Sequence, residues 1–177
     1  VFLRDYGIKA ELTSTTRCGF HRYTFPEAKT ARILFDLKFP TEYNFDVLDA
    51  WIRPRGDREL EGYSQQRGGP GARWNDYTVH FLVRFSRPFQ SFGGWVNGKV
   101  WKKVREIKGR GDVGAFVTFS ARDGETVMLQ VGISLVSIPQ ARLNLLTELE
   151  EFGWDFDAVV ARAQKVWREI LRRIEVY

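Results

Sequence analysis

Few side chains in this sequence of 177 residues could do acid–base or covalent chemistry, and they do not cluster. There are two histidines, His21 and His80, and one cysteine, Cys18. Neither histidine has a serine or cysteine partner in an elbow-like turn, so nucleophilic triad chemistry finds no support. No histidine or second cysteine stands at ligand spacing from Cys18, which argues against zinc, and no residue is assigned to a metal. A lone cysteine in an alternating strand reads as a small buried hydrophobe. Isolated strand histidines are usually hydrogen-bonded structural groups, with sugar contact by His21 as the minority alternative. Glycosidic chemistry asks for two opposed carboxylates. Glu59 with Glu61, and Asp155 with Asp157, are the near neighbours, but neither pair sits in a run that predicts burial, where a proton donor would stay protonated. A solvated strand face and a helix N-terminus account for them, so no residue is assigned a catalytic role.

Two further stretches could bind rather than react. Gln66–Asp76, QRGGPGARWND, is a glycine-rich loop without the Gly-Lys-Ser/Thr ending of a phosphate loop. Its Trp74 could stack on a pyranose, with Arg73 and Asn75 offering hydrogen bonds to hydroxyls. The plainer alternative, a loop tryptophan closing over the end of the domain, is preferred because loop aromatics outnumber sugar platforms. Lys99, Lys102, Lys103, Arg105, Lys108 and Arg110 crowd one hairpin together with Trp95 and Trp101. Basic residues among aromatics can form a nucleic-acid groove, but a net charge of +5 over 177 residues is modest for that. A lysine-rich solvent face with both tryptophans turned inward is expected instead, and no nucleic-acid partner.

The elements that must position these groups are mostly short and alternating. The length suits one domain, and no run approaches the ~20 apolar residues of a membrane span, so no membrane partner is expected. Opening on Val1 inside a strand-like run, with no targeting signal, the sequence reads as a fragment of a longer protein. Up to Leu135, alternating runs broken by Gly, Asn and Pro predict an antiparallel β-sandwich or barrel. Ile8, Ala10 and Leu12 share a face; Cys18 and Phe20 alternate with Gly19, His21 and Tyr23; Tyr77 to Phe85 keeps a strict period of two. Ala31–Leu37 is nearly continuous apolar sequence and suits a central strand.

Two hairpins follow from turn chemistry. Asn97-Gly98 predicts a type I′ turn that sets Val96 opposite Lys99, Trp95 opposite Val100 and Gly94 opposite Trp101. A three-residue turn at Arg122-Asp123-Gly124 would pair Val117 with Leu129, Phe119 with Val127 and Ala115 with Val131. After Leu135 the pattern turns helical. Ser137 and Gln140 stand at capping-box spacing with Pro139 between, predicting a short helix near 138–151. Asp155 then caps a second helix, whose stripe Phe156, Val159, Val160, Ala163, Val166, Trp167, Ile170, Leu171 and Ile174 is wide for a domain's edge. The domain division is therefore a sandwich over 1–153 and a helix over 154–177.

Four blocks in order also resemble one family. They are Ile8–Pro26 (IKAELTSTTRCGFHRYTFP), Tyr77–Phe89 (YTVHFLVRFSRPF), Val131–Arg142 (VGISLVSIPQAR) and Trp154–Val160 (WDFDAVV). Together they resemble the non-catalytic N-terminal sandwich domain of glycoside hydrolase family 92, the exo-acting α-mannosidases. Cys18 stands where an aliphatic residue is the family's habit, and Phe39–Arg73 matches no family block. The resemblance implies a galactose-mutarotase-like supersandwich with C-terminal α-helices. It implies a parent that is calcium-dependent, inverting, specific for mannose-containing glycans, and secreted, periplasmic or cell-surface. The acid, the base and the calcium ligands would lie on a downstream catalytic domain, the partner of this one, and this domain would wall one side of the pocket. A stand-alone carbohydrate-binding or interaction sandwich is the alternative.

Overall fold

The computed structural model describes residues 1–38, 45–68 and 76–173. Twelve strands form two antiparallel sheets. The large sheet holds eight: β1 (Phe2–Leu3), β2 (Ile8–Ser14), β3 (Cys18–Phe25), β5 (Phe45–Pro54), β6 (Glu59–Gly68), β7 (Asp76–Phe85), β10 (Ile107–Gly109) and β12 (Glu125–Ser134). Their order is β1-β2-β3-β12-β7-β6-β5-β10. The small sheet is β4 (Ala28–Asp36), β11 (Val113–Ala121), β8 (Ser91–Val96) and β9 (Lys99–Trp101), in the order β4-β11-β8-β9. Two helices, α1 (Ile138–Leu149) and α2 (Phe156–Leu171), joined by a 3₁₀ turn, cover the far side of the large sheet.

The alternation seen in the sequence sorts side chains between two cores. Phe25, Ile52, Leu60, Val83, Phe85, Val113, Val117, Phe119, Val127 and Leu129 fill the space between the sheets. Cys18, Phe20 and Leu82 point the other way and meet Leu145, Leu149, Phe156 and Val159 of the helices. Burial holds the Cys18 thiol up at about 12, so it behaves as the small hydrophobe its strand suggested. The helical layer lies very close to the sheet: a Cβ on Gly132 would stand 2.4 Å from the Ala141 carbonyl oxygen. Only glycine lets α1 approach β12 there. Among the described residues no helix is long and apolar enough to cross a membrane.

Both capped helices form where expected. The Ser137 hydroxyl accepts from the Gln140 N–H, and the Asp155 carboxylate accepts from the Ala158 N–H. The Asn97-Gly98 hairpin has the predicted register, with both turn residues at positive φ (49° and 80°).

Three expectations are corrected. Gly124 does take positive φ, but β11 and β12 do not pair; they belong to different sheets, β11 between β4 and β8, β12 between β3 and β7. Val117 and Leu129 share a core across the sandwich rather than along a ladder, and alternation alone cannot tell these apart. The Ala31–Leu37 run is an edge strand, since Leu34 turns outward and is 62% exposed. Finally, only Trp101 of the hairpin turns inward. Trp95 lies on the outer face of the small sheet across Gly114, and its Nε1–H donates to Asp112 at 2.8 Å.

Candidate functional site

Of the sequence-derived sugar-contact candidates, His21 alone lies among the described residues. Arg73, Trp74 and Asn75 lie outside the described residues. The strands on either side of their loop end at Gly68 and resume at Asp76. His21 sits opposite Leu129, which in turn faces Phe85. From Asp76 to Phe85 along β7 is roughly 30 Å at the usual strand rise, so His21 lies level with the opposite end of β7 from Asp76. The His21 ring is half-buried and its Nδ1 lies 2.9 Å from the Tyr23 hydroxyl. Burial lowers the imidazole's pKa and raises that of the Tyr23 phenol, so both are neutral at pH 7. A neutral imidazole bonded to a neighbouring phenol is a structural pair. It offers one remaining ring nitrogen and no charge.

His80 departs from expectation. Its Nδ1 is buried and has no hydrogen-bond partner among the described residues. The ring stands 6.1 Å from Tyr63, which stands 6.0 Å from Trp51, making an aromatic row across three strands that sequence periodicity did not single out. The polar edges of the other two rings are occupied. Trp51 Nε1–H donates to Glu106, the Tyr63 hydroxyl donates to Asp49, and the Arg53 guanidinium lies over the Trp51 ring.

The carboxylates give the most decisive geometry. Glu59 and Glu61 share one face of β6, their backbone positions roughly 6–7 Å apart by strand rise. Contrary to the expectation of a solvated face, the Glu61 side chain is buried. Both carboxylates are nevertheless engaged. Arg142 of α1 grips Glu59 with two hydrogen bonds, of 3.2 and 2.7 Å. Arg53 and Arg55 hold Glu61, at 2.7 and 3.5 Å. Asp155 is a helix cap and Asp157 pairs with Arg22. Three of the four carboxylates are thus held by guanidinium groups, and the fourth caps a helix. Among the described residues no group of three or more His, Cys, Asp or Glu side chains could hold a metal ion.

Two arrangements were missed in the sequence. Arg22 bridges β2, β3 and α2: it pairs with Glu11 and Asp157 at 2.9 Å each, and its guanidinium lies 4.3 Å from the Phe156 ring centroid. Hydrogen bonds from Arg22 and Lys9 hold the Glu11 carboxyl at about 2. The second is a groove of about 470 Å³ between the β2–β3 turn and the helices, with Arg17 and Glu148 on one wall and Arg162, Val166, Trp167 and Ile170 on the other. Glu148 fixes the first wall, accepting from the Thr15 hydroxyl, the Arg17 N–H and the Arg17 guanidinium. The width of the α2 stripe was the only sequence signal for this groove. The partner wall could not be read, because it depends on a contact 131 residues away in sequence.

Comparison with known proteins adds the family. The description "Glycosyl hydrolase family 92 N-terminal domain" matches residues 1–134. No curated protein sequence matches. Among solved structures, the chain is similar to the family GH92 α-mannosidase BT3965 from Bacteroides thetaiotaomicron, with 29% identity and a TM-score of 0.81 over 96% of this chain. It is also similar, at 28% identity and a TM-score of 0.81 over 96% of this chain, to the same enzyme in complex with mannoimidazole. The family GH92 inverting mannosidase BT2199 from Bacteroides thetaiotaomicron VPI-5482 shares the fold, at 20% identity and a TM-score of 0.79 over 97% of this chain. The matched part is only 23%, 22% and 22% of those chains, so this chain spans less than a quarter of their length.

Proposed function

Because the chain belongs to the glycosyl hydrolase family 92 N-terminal domain family, we propose that it is the sandwich domain of a calcium-dependent, inverting exo-α-mannosidase acting on mannose-containing glycans. The observation that carries this is the family match over residues 1–134, supported by the likeness to an α-mannosidase at 29% identity. Inversion needs an acid to protonate the leaving oxygen while a base activates water on the opposite face of the ring. In this reading the acid and the base belong to the part of the polypeptide outside this chain; the engagement of Glu59, Glu61, Asp155 and Asp157 supports it. The described residues do not fit a calcium site either, and no step through calcium is assigned to this chain. The domain's own part is structural. It supports the catalytic domain and contributes one wall of the pocket, with the Arg73–Asn75 loop as its sugar-facing candidate.

The test compares the 177-residue chain with the whole polypeptide that its gene encodes. The chain alone is expected to release no mannose from an α-mannoside, with or without calcium, because loss of catalytic groups forfeits orders of magnitude in rate. The whole polypeptide is expected to release it, and to stop when calcium is chelated. Hydrolysis by the isolated chain that disappears on Glu59→Gln would overturn the assignment. Micromolar mannose binding by the isolated chain, with NMR shifts centred on Trp74, would instead favour the stand-alone binding module. One aromatic stack with a few exposed hydrogen bonds supports only about millimolar affinity.

A further inference from the structure

From Arg162 onward, α2 presents side chains that its own domain leaves uncovered. Val166, Trp167, Ile170 and Leu171 are 40%, 63%, 49% and 66% exposed. They are not scattered. Val166, Trp167 and Ile170 line the groove against the Ser14–Arg17 turn, and Trp167 and Leu171 line a second depression against Leu12 of β2. Contiguous apolar surface with polar rims marks a binding face. The α2 side of the rim is mostly basic, while Glu151 of the 3₁₀ turn also lines the groove. Among the described residues Arg162, Arg172 and Arg173 form no ion pair, and Lys165 reaches only Glu169, at 4.0 Å. The facing wall is already rigid, because Glu148 is tied to both Thr15 and Arg17.

We infer that the outer face of α2 and its groove seat an apolar segment edged with carboxylates, supplied by the part of the same polypeptide outside residues 1–177. This rests on the function proposed above, in which the chain is one domain of a longer enzyme. Two observations select that occupant over a separate protein. The mannosidase that shares this fold over 96% of the chain carries more than three quarters of its own length outside the matched part. Arg162, Arg172 and Arg173, which no carboxylate of the described residues pairs, favour an occupant edged with carboxylates. The small sheet's outer face also shows Leu34 and Val100, as single residues on separate strands, β4 and β9.

Hydrogen–deuterium exchange on the whole polypeptide and on the 177-residue chain tests this. Peptides spanning 162–171 are expected to exchange at least tenfold more slowly in the whole polypeptide, while peptides containing Leu34 or Val100 stay unchanged. The double variant Trp167→Glu with Ile170→Glu is expected to restore fast exchange at 162–171 in the whole polypeptide. In the 177-residue chain the same variant should leave the thermal midpoint unchanged, showing that it does not act by unfolding. Equal exchange in both proteins would overturn the inference, as would slowing at Leu34 and Val100 instead. Protection in the short chain that grows with concentration would identify a second copy as the occupant and overturn it too. If the whole polypeptide cleaves α-mannosides while 162–171 exchanges fast, only this inference fails. If 162–171 is protected but no mannoside is cleaved, only the proposed function fails.

Discussion

The two helices began as the same kind of sequence signal, a capped amphipathic stretch, and they ended in different situations. α1 buries Ala141, Leu145 and Leu149 completely against β12 and β7, and adds polar ties at three points. Arg142 binds Glu59, Asn144 donates to the Ile133 carbonyl, and Glu148 holds the β2–β3 turn. α2 buries only Phe156 and Val159, both in its first two turns, and every described residue after Ala163 is exposed. Its N-terminal half is anchored by Arg22 and Asp155, while its C-terminal half rests on little but its own hydrogen bonds. Isolated helix of that length is marginal in water. An apolar stripe therefore reports that a surface must be covered and leaves open by what.

That contrast can be broken by matched truncations. Leu145→Ala removes a fully buried side chain from α1 and is expected to cost about 2–5 kcal/mol, the range for large-to-small core changes. Ile170→Ala on the exposed part of α2 is expected to change stability of this chain by no more than about 0.5 kcal/mol. Urea unfolding of the two variants measures both. Comparable losses would mean that the end of α2 is covered in solution. Next in size, Gly132→Ala forces a methyl group to within 2.4 Å of the Ala141 carbonyl oxygen, so α1 must move off the sheet. Overpacking of this sort costs about 1–3 kcal/mol. The same substitution at Gly124, where no atom lies within 4 Å, should cost only what a positive φ costs a residue with a side chain.

Legibility in the sequence followed the range of the interaction. The caps at Ser137 and Asp155 and the Asn97-Gly98 register are decided within four or five residues, and they were readable. The sandwich class followed from alternation. What alternation could not give was the sheet to which a strand belongs, since Val117 meets Leu129 equally well beside it or across from it. Trp95, by contrast, was misplaced despite a readable signal. The predicted register already separated the two tryptophans: Trp101 faces Gly94, so Trp95, one residue on, points to the other side of the sheet. At the candidate site, the partners of the carboxylates were not visible in the sequence. Burial of Glu61 required Arg53 and Arg55, and the grip on Glu59 required Arg142, 83 residues away in sequence. Side chains drawn from separate elements set that chemistry, and a single sequence does not display them.

A further effect concerns acid, and it separates the helices again. Burial pushes the Glu148 carboxyl's pKa up, but the Thr15 hydroxyl and the Arg17 N–H and guanidinium outweigh this and hold it below the usual glutamate value. Its pKa is thus lower in the folded than in the unfolded chain. The bonds it makes stabilise the fold fully above the unfolded value of about 4.3, and that stabilisation is lost as pH falls through the folded value. Arg17 is more than half exposed, so most of the effect belongs to Thr15 and the backbone N–H. Glu148→Gln should therefore cost about 1–2 kcal/mol at pH 7 and progressively less below pH 4. Glu11 supplies acid lability of its own, being held at about 2 by Arg22 and Lys9, so the quantity to measure is the difference between variant and parent. Glu169→Gln on α2 serves as the control: its carboxylate is 65% exposed and meets only Lys165, at 4.0 Å. Urea midpoints at pH 7, 5 and 3 should show the Glu148 difference shrinking and the Glu169 difference near zero throughout. A Glu148 difference that stays constant with pH would mean that the carboxylate's charge does not hold α1 to the β2–β3 turn.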